Sequence, residues 1–202
     1  YACDDVSGTT TISSDCSSAF SITGSNADIT LSATASSSSM RLTNSGTNSS
    51  LTITSSGSLI STNGGIVIDG TVSGKSFDLI SNAGTISATY FTIRNQKTIT
   101  TLTNTGTITA TEGNAAILNQ NSGTITTFTN SGTISAPSGS GINNTATITT
   151  LTNTGTITSS GTDISNFAGT MVTLNNSQGK NGDDPLRLER FSTNYNIIIN
   201  ST

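Results

Sequence analysis

Apolar and polar residues alternate through the middle of the chain, and the alternation recurs as a phrase. One copy, Thr-Ile-Thr-Thr-Leu-Thr-Asn-Thr-Gly-Thr-Ile-Thr, spans residues 98–109. With the three residues before it, the phrase starts at Asn95, Asn121 and Asn144, 26 and then 23 residues apart, and a degenerate copy spans residues 73–87. A strand sends alternate side chains to opposite faces. The pattern therefore predicts strands with Leu102 and Ile108 inside and the threonines outside.

The spacing of the copies predicts a solenoid. A period of about 22–26 residues is too short for a domain and fits one supersecondary unit stacked on copies of itself. No window shows the spacing of a helix. Ile99 lies three residues before Leu102, so both point inward only if the chain bends between them. Each unit then holds two or three short strands joined by corners. We predict an all-β protein, a parallel β-helix with coils of about 22–26 residues.

Asparagine recurs at fixed places in the repeat. The first series, whose members are 22, 26, 23 and 23 residues apart, is Asn82, Asn104, Asn130, Asn153 and Asn176. A second series is Asn95, Asn121 and Asn144. Stacked at the strand spacing, such amides can bond to one another in a ladder that satisfies otherwise costly buried groups. The alternative is exposed turn residues, because asparagine tolerates the left-handed conformation. We predict an inward structural ladder for the first series in particular.

Composition supports a solenoid over a globular domain. The chain has 202 residues, of which 31% are hydrophobic and 9% charged, and residues 113–162 carry no charge. A globular domain so poor in apolar residues would approach disorder, whereas a solenoid core is one thin column. The net charge of −4, without a basic cluster, predicts no nucleic acid partner. No segment is apolar enough over a sufficient length to span a membrane.

The two ends depart from the repeat. We predict an N-terminal cap and first coils over residues 1–40, a repetitive β-helix over 41–178, and a charged loop with a terminal strand over 179–202 that leads into a further part. Cys3 and Cys16 are the two cysteines, and both lie in the acidic N-terminal region. In a Ser/Thr/Asn-rich β-helical chain of surface type they favour a disulfide that clips the cap, and two buried free thiols are the alternative. The lack of an initiating Met and of a leader predicts a mature segment.

Catalytic chemistry is poorly represented in the sequence. Without histidine, neither a His-based triad nor a His metal site can form. Residues 70–76 resemble a phosphate-binding loop only faintly, and residues 179–184 lack the ligand pattern of a calcium loop. Asp183, Asp184 and Glu189 admit a carboxylate pair like that of polysaccharide-cleaving enzymes, and a charge cluster with neighbouring arginines is the simpler interpretation. We predict no enzymatic activity, no metal and no cofactor.

The repeated phrase Leu-Thr-Asn-Ser/Thr-Gly-Thr-Ile-Thr, over about residues 40–176, resembles the repeat of bacterial autotransporter (type V secretion) passenger domains. Two terminal features are similar to VacA-like autotransporters of Helicobacter and Campylobacter relatives: the cysteine pair followed by Ser-Ile-Thr-Gly-Ser-Asn, and the closing Tyr-Asn-Ile-Ile-Ile-Asn-Ser. The resemblance implies a right-handed parallel β-helix that is secreted across the outer membrane and displayed at the bacterial cell surface. It also implies an adhesin or virulence role toward an unidentified host receptor or glycan, and it supplies no catalytic residues.

Three function classes follow. The leading one is a non-catalytic adhesin shaft whose inter-coil loops, residues 110–116, 136–141 and 159–166, are candidates for display. The second is a threonine-array ice-binding solenoid, with Thr98-Ile-Thr100, Thr101-Leu-Thr103 and their later equivalents as the array. Threonine also suits any exposed strand, and it occupies more than one predicted face here, whereas ice binding would concentrate it on one. The third class, a polysaccharide-active β-helix, is disfavoured by the scarcity of aromatics and paired acids.

Overall fold

A computed structural model describes residues 2–64, 66–70, 75–180, 184–190 and 198–201. Regular structure in these ranges is entirely strand, without a helix. In chain order the strands are β1 (Thr9–Ile12), β2 (Phe20–Ile22), β3 (Asp28–Leu31), β4 (Thr34–Ser37), β5 (Leu42–Asn44), β6 (Ser49–Ile53), β7 (Ser58–Ser61), β8 (Ile66–Gly70), β9 (Ser76–Asn82), β10 (Thr85–Ala88), β11 (Phe91–Asn95), β12 (Thr98–Asn104), β13 (Thr107–Ala110), β14 (Ala115–Asn119), β15 (Thr124–Asn130), β16 (Thr133–Ala136), β17 (Ser140–Asn144), β18 (Thr147–Asn153), β19 (Thr156–Ser159), β20 (Ile164–Asn166), β21 (Thr170–Asn176), β22 (Leu188–Arg190) and β23 (Ile198–Ser201).

The described strands form three parallel sheets, and the chain visits them in turn. The nine-stranded sheet has the order β1-β3-β6-β9-β12-β15-β18-β21-β23, the six-stranded sheet runs from β4 to β19, and the eight-stranded sheet runs from β2 to β22. One circuit, such as β12, β13 and β14, makes one coil. Paired positions on the nine-stranded sheet are 22, 26, 23 and 23 residues apart between β9 and β21. The predicted parallel β-solenoid and its period are confirmed.

The repeated phrase forms a seven-residue strand with a bend. In β12 both Ile99 and Leu102 are buried, and the two residues between them, Thr100 and Thr101, face outward. The pairing register with β15 passes from Ile99 to Thr101 and omits Thr100. The strand therefore changes direction at Thr100, which allows two inward residues to be three positions apart. This is the bend that the spacing predicts.

The core is a set of columns, each taking one buried residue from every coil. One column is Ile99, Ile125, Ile148 and Met171, a second is Leu102, Phe128, Leu151 and Leu174, and a third is Ile86, Ile108, Ile134 and Ile157. These side chains are at most 2% exposed. Burying such a side chain contributes about 1.5–3 kcal/mol. A few apolar residues per coil therefore suffice, which explains the low hydrophobic content.

A column of glycines lies at the corner between the nine-stranded and six-stranded sheets. A Cβ atom on Gly106 would lie 2.1 Å from the carbonyl oxygen of Gly84 in the previous coil, and one on Gly132 would lie 2.1 Å from that of Gly106. Thr107 N–H donates to the Gly84 carbonyl at 2.8 Å. The coils approach too closely here for any side chain. The glycine of the Asn-Thr-Gly-Thr phrase is thus required by stacking between coils.

The N-terminal residues form a first, shorter coil. Val6 bridges to Ile22 of the eight-stranded sheet, β1 pairs with β3, and Cys16 bridges to Ala35 of the six-stranded sheet. A disulfide joins Cys3 to Cys16 with 4.9 Å between their Cα atoms. The cysteine pair therefore closes the chain into a loop at the first coil.

Candidate functional site

The first asparagine series lies inside the solenoid as a continuous ladder. Each side-chain amide donates from Nδ2 to Oδ1 of the next member at 2.8 Å, in the order Asn82, Asn104, Asn130, Asn153 and Asn176. The first four members have no exposed surface. The Asn104 amide also donates to the carbonyls of Gly106 and Thr133, both at 3.2 Å. The structure brings together all five residues that the sequence singled out.

The ladder does not extend through the whole column. Earlier coils place Leu31 and Ile53 at the same register position, directly before Asn82. The position therefore accepts an apolar side chain or an asparagine, provided that the asparagine finds partners. Asn82 also accepts a hydrogen bond from Gly84 N–H at 3.2 Å. The buried amide thus satisfies backbone groups of the adjacent corner, which an aliphatic side chain cannot do.

A second ladder runs along the end of the eight-stranded sheet, with one member different from the prediction. Its amides are joined at 2.9, 2.7 and 2.6 Å in the order Asn95, Asn119, Asn144 and Asn166. The assignment of Asn121 to this series is wrong. Asn121 is exposed and has a φ of 58°.

Corner length explains the error. Thr124 follows Asn119 by five residues, whereas Thr98 follows Asn95 by three. Counting back from the repeated phrase lands on Asn121, but the two extra residues lie in the turn. The ladder position is set by stacking on the coil below, and Asn121 instead takes the left-handed conformation of the longer corner.

The outward face of the nine-stranded sheet carries rows of threonine in register. One row is Thr98, Thr124, Thr147 and Thr170, a second is Thr101, Thr127, Thr150 and Thr173, and a third is Thr103, Thr129 and Thr152, followed by Asn175. Neighbours in a row are about 4.8 Å apart, the strand spacing. Strands β12, β15, β18 and β21 contain no charged residue. We call this surface the threonine face.

The other two sheets differ in character. The six-stranded sheet repeats the pattern with a row of Thr107, Thr133 and Thr156. The eight-stranded sheet instead presents a mixed row of Arg94, Leu118, Asn143, Ser165 and Glu189. Burial lowers the pKa of Arg94 from its ordinary value. Threonine therefore occupies two of the three faces.

The inter-coil loops proposed for display are short corners that stack on one another. Ser140 N–H donates to the Asn114 carbonyl at 2.9 Å, and a Cβ on Gly139 would lie 2.3 Å from that same oxygen. In residues 110–116 the exposed residues are Thr111, Glu112 and Asn114. These loops offer little surface beyond that of the sheets.

At the N-terminal end, acidic side chains complete the sheet edges. Asp5 Oδ1 accepts the Ser21 N–H at 2.7 Å, and Asp15 Oδ1 accepts the Thr34 N–H at 2.8 Å. Each aspartate directly precedes the residue that bridges to the next coil, Val6 or Cys16. A cavity of about 380 Å³ opens within this coil and is lined by residues 2–7, 10–14 and 16. The acidic character of the N-terminal region therefore has a structural role.

At the C-terminal end, an ion pair between the buried Asp163 and the half-exposed Arg187 lies beside the last described strand of the six-stranded sheet. Asp163 is 1% exposed, and the guanidinium of Arg187 contacts it with Nη2 to Oδ1 at 2.7 Å and Nε to Oδ2 at 3.2 Å. This hydrogen bonding raises the pKa of Arg187, against an opposing effect of desolvation. A cavity of about 370 Å³ here is lined by Thr158, Ser159, Asp163, Gln178, Asp184, Pro185 and Arg187.

The remaining sequence candidates give no assembled site in the described residues. Asp183 and residues 71–74 of the faint phosphate loop lie outside them. Glu189 accepts a hydrogen bond from Ser165 at 3.3 Å. Where the structure describes the chain, no group of three His, Cys, Asp or Glu residues is placed to hold a metal, and no helix suits a membrane span.

Comparison with protein-family models, with curated proteins and with solved structures gave no significant match. The class of this protein is therefore inferred from its fold and its surfaces. The chain is an all-β parallel solenoid with two internal asparagine ladders and repeated hydroxyl rows outside.

Proposed function

We propose that this chain is the non-catalytic shaft of a bacterial surface autotransporter, a passenger domain that is secreted across the outer membrane and supports attachment to host cells. The uniform stack of coils from β9 to β21 carries the proposal. Two of its three faces repeat the same side chains at the strand spacing, which suits a spacer or an extended contact surface better than a concave site. The resemblance of the repeat and of both ends to autotransporters is the reason for proposing type V secretion.

The repeated surface supports a mode of attachment in which many equivalent contacts act together. The partner in this proposal is an unidentified host receptor or glycan. Each hydroxyl row presents the same group once per coil, so binding strength depends on how many coils engage and grows by avidity. No single residue dominates such an interface. Deleting a coil should therefore weaken attachment more than any single threonine substitution.

A coil deletion tests this proposal with the register preserved. Removing residues 105–130 joins Asn104 to Ser131, so that Asn104 meets Asn153 and Asn95 meets Asn144. The intact protein should bind epithelial cells above the level of an unrelated β-helix, and the deletion variant should bind less. Equal binding by the intact protein and the unrelated β-helix would refute a direct adhesive role. Hydrolysis of a polysaccharide, abolished by Asp183→Asn, would overturn the non-enzyme proposal.

The threonine face favours one second candidate, binding to ice. Its rows are in register across β12, β15, β18 and β21 and carry no charge, as a surface that orders water would require. Thermal hysteresis measurements separate the candidates. Under the ice-binding candidate, Thr127→Lys and Thr150→Lys should abolish activity, while Thr133→Lys on the six-stranded sheet should leave it intact. Absence of hysteresis in the intact protein would exclude this candidate.

A further inference from the structure

The six-stranded sheet ends one circuit earlier than its neighbours. Its last described strand is β19, whereas the eight-stranded sheet continues to β22 and the nine-stranded sheet to β23. A sheet edge normally leaves a row of backbone N–H and C=O groups without a strand partner. The groups that β19 directs toward the next coil must therefore be satisfied in another way.

The side-chain amide of Gln178 takes the place of a peptide group on β19. Its Oε1 accepts the Ile157 N–H at 2.8 Å, and its Nε2 donates to the Ile157 carbonyl at 2.9 Å. One coil earlier, the equivalent residue is Ile134, which pairs with Ile157 in a regular ladder. Gln178 is 7% exposed and its Oε1 also accepts from Asn153 Nδ2 at 3.2 Å. It thus terminates the sheet and contacts the first asparagine ladder.

Arg187 covers the second half of the same edge. Its Nη2 donates to the Ser159 carbonyl, and its Nη1 donates to the Ser160 carbonyl at 3.4 Å. Asp163 holds the guanidinium in this position through its two carboxylate oxygens. The Arg187 backbone N–H also donates to Asp163 at 2.8 Å. A glutamine and an arginine together therefore bond three backbone groups of β19 that a further strand would otherwise pair: the Ile157 N–H, the Ile157 carbonyl and the Ser159 carbonyl.

We propose that Gln178 and Arg187 form an edge cap that closes β19 against strand addition by a second copy of this chain. The repeat itself identifies the occupant that the cap excludes. Strands β13, β16 and β19 read Thr-Ile-Thr-Ala, Thr-Ile-Ser-Ala and Thr-Ile-Thr-Ser and already pair with one another in register. The best-fitting partner for an uncapped β19 is therefore the same short segment from another molecule.

Amide hydrogen exchange on the full chain tests whether the amide substitutes for a strand. Gln178→Leu should raise the exchange rate of the Ile157 amide at least about tenfold, while the Ile134 amide, which lies one coil inside, should not change. Gln178→Glu keeps an acceptor for the Ile157 N–H but loses the donor to the Ile157 carbonyl, so its Ile157 exchange rate should lie between those of the parent and Gln178→Leu. Gln96→Leu, at a half-exposed corner, is the matched control. Unchanged protection of Ile157 in Gln178→Leu overturns the proposal.

Sedimentation over a concentration series tests the exclusion of a second copy. The Gln178→Leu/Arg187→Met variant should associate with concentration, whereas the parent and Lys180→Met, which removes an exposed charge close by, should stay at the parent's assembly state. If Gln178→Leu alone is poorly folded by circular dichroism, Gln178→Ala/Arg187→Met takes its place. The proposal is overturned if a variant without the edge cap exposes the Ile157 amide to exchange but keeps the same assembly state as the parent at every concentration.

Discussion

At the scale of the residue, asparagine and glycine at fixed positions of the repeat allow the coils to stack. Asparagine stacks inside because its amide is both donor and acceptor, so each copy satisfies the next in one direction along the solenoid. Glycine stacks at the corner because Gly106 and Gly132 lie against backbone oxygen atoms of the coil before. Both residues depend on contacts with the adjacent coil: a second asparagine for the amide, and a backbone oxygen for the glycine.

The ladders should be sensitive at their buried members. Asn130→Leu and Asn119→Leu each leave neighbouring amides without a partner, and each should lower the free energy of unfolding by about 1–3 kcal/mol. Asn121→Gly, which keeps the left-handed turn, should change it by less than about 0.5 kcal/mol. Denaturant midpoints measure all three. A denaturant midpoint for Asn119→Leu equal to that of the parent would contradict the assignment of Asn119 to the second ladder.

Even a methyl group in the glycine column should destabilise the protein. A Cβ at position 132 would lie 2.1 Å from the Gly106 oxygen, so Gly132→Ala forces coils apart and should destabilise by about 1–3 kcal/mol or more, as overpacking does. Gly161 has no atom within 4 Å of the added carbon. Gly161→Ala should therefore be neutral or slightly stabilising. Thermal unfolding of the two variants compares them directly, and similar melting temperatures would contradict the close stacking.

At the scale of the element, bends and edges shape the solenoid. The outward pair Thr100 and Thr101 turns one strand through a corner without breaking its ladder. At the edges, Asp5 and Asp15 accept backbone N–H groups at the start of the fold. At the end, Gln178 bonds the N–H and the carbonyl of Ile157. Side chains thus replace missing strands at both ends of the described solenoid.

The disulfide should stabilise the first coil in particular. The cysteines are separated by 13 residues, and cross-linking a loop of this size contributes about 3 kcal/mol by restricting the unfolded chain. The Cys3→Ser/Cys16→Ser variant should lose exchange protection in β1 and β2 and retain it in β12 and β15. A thiol assay on the denatured, unreduced parent should detect no free thiol. Two reactive thiols in that assay would contradict the disulfide.

At the scale of the whole molecule, each coil contacts mainly its neighbours, so stability is approximately a sum of coil and interface contributions. The same arrangement spreads the surface chemistry along the axis. From β12 to β21 the threonine face lacks charge, and hydroxyls and amides provide its polarity. Any partner of this face is therefore recognised without ion pairs.

Two whole-molecule outcomes follow from this arrangement. Deleting residues 105–130 should leave a folded solenoid with unchanged β content but reduced stability, because both ladders and the apolar columns rejoin in register. Attachment through the threonine face should be nearly unchanged between low and high salt, since screening acts on charges. Circular dichroism and cell binding at two salt concentrations measure these outcomes. A deletion variant that fails to fold would show that coils are not interchangeable.

The local pattern of residues along the chain by itself determines much of this protein. Alternation decides which side chains of β12 face inward, the three-residue gap between Ile99 and Leu102 demands a bend, and the period of about 23 residues allows only a stack of small units. These properties depend on near neighbours along the chain, so they can be read from the sequence.

Tertiary structure alone decided the features that depend on contacts between coils. The choice of Asn119 over Asn121 depends on which residue stacks on Asn95, because an insertion in a corner shifts the count along the chain but not the column in space. The need for Gly132 depends on a backbone oxygen one coil away, and the role of Gln178 depends on what covers the edge of β19. Sequence periodicity describes the repeating unit. The role of a residue that interrupts the repeat depends on its contacts with the coils on either side, which only the tertiary structure shows.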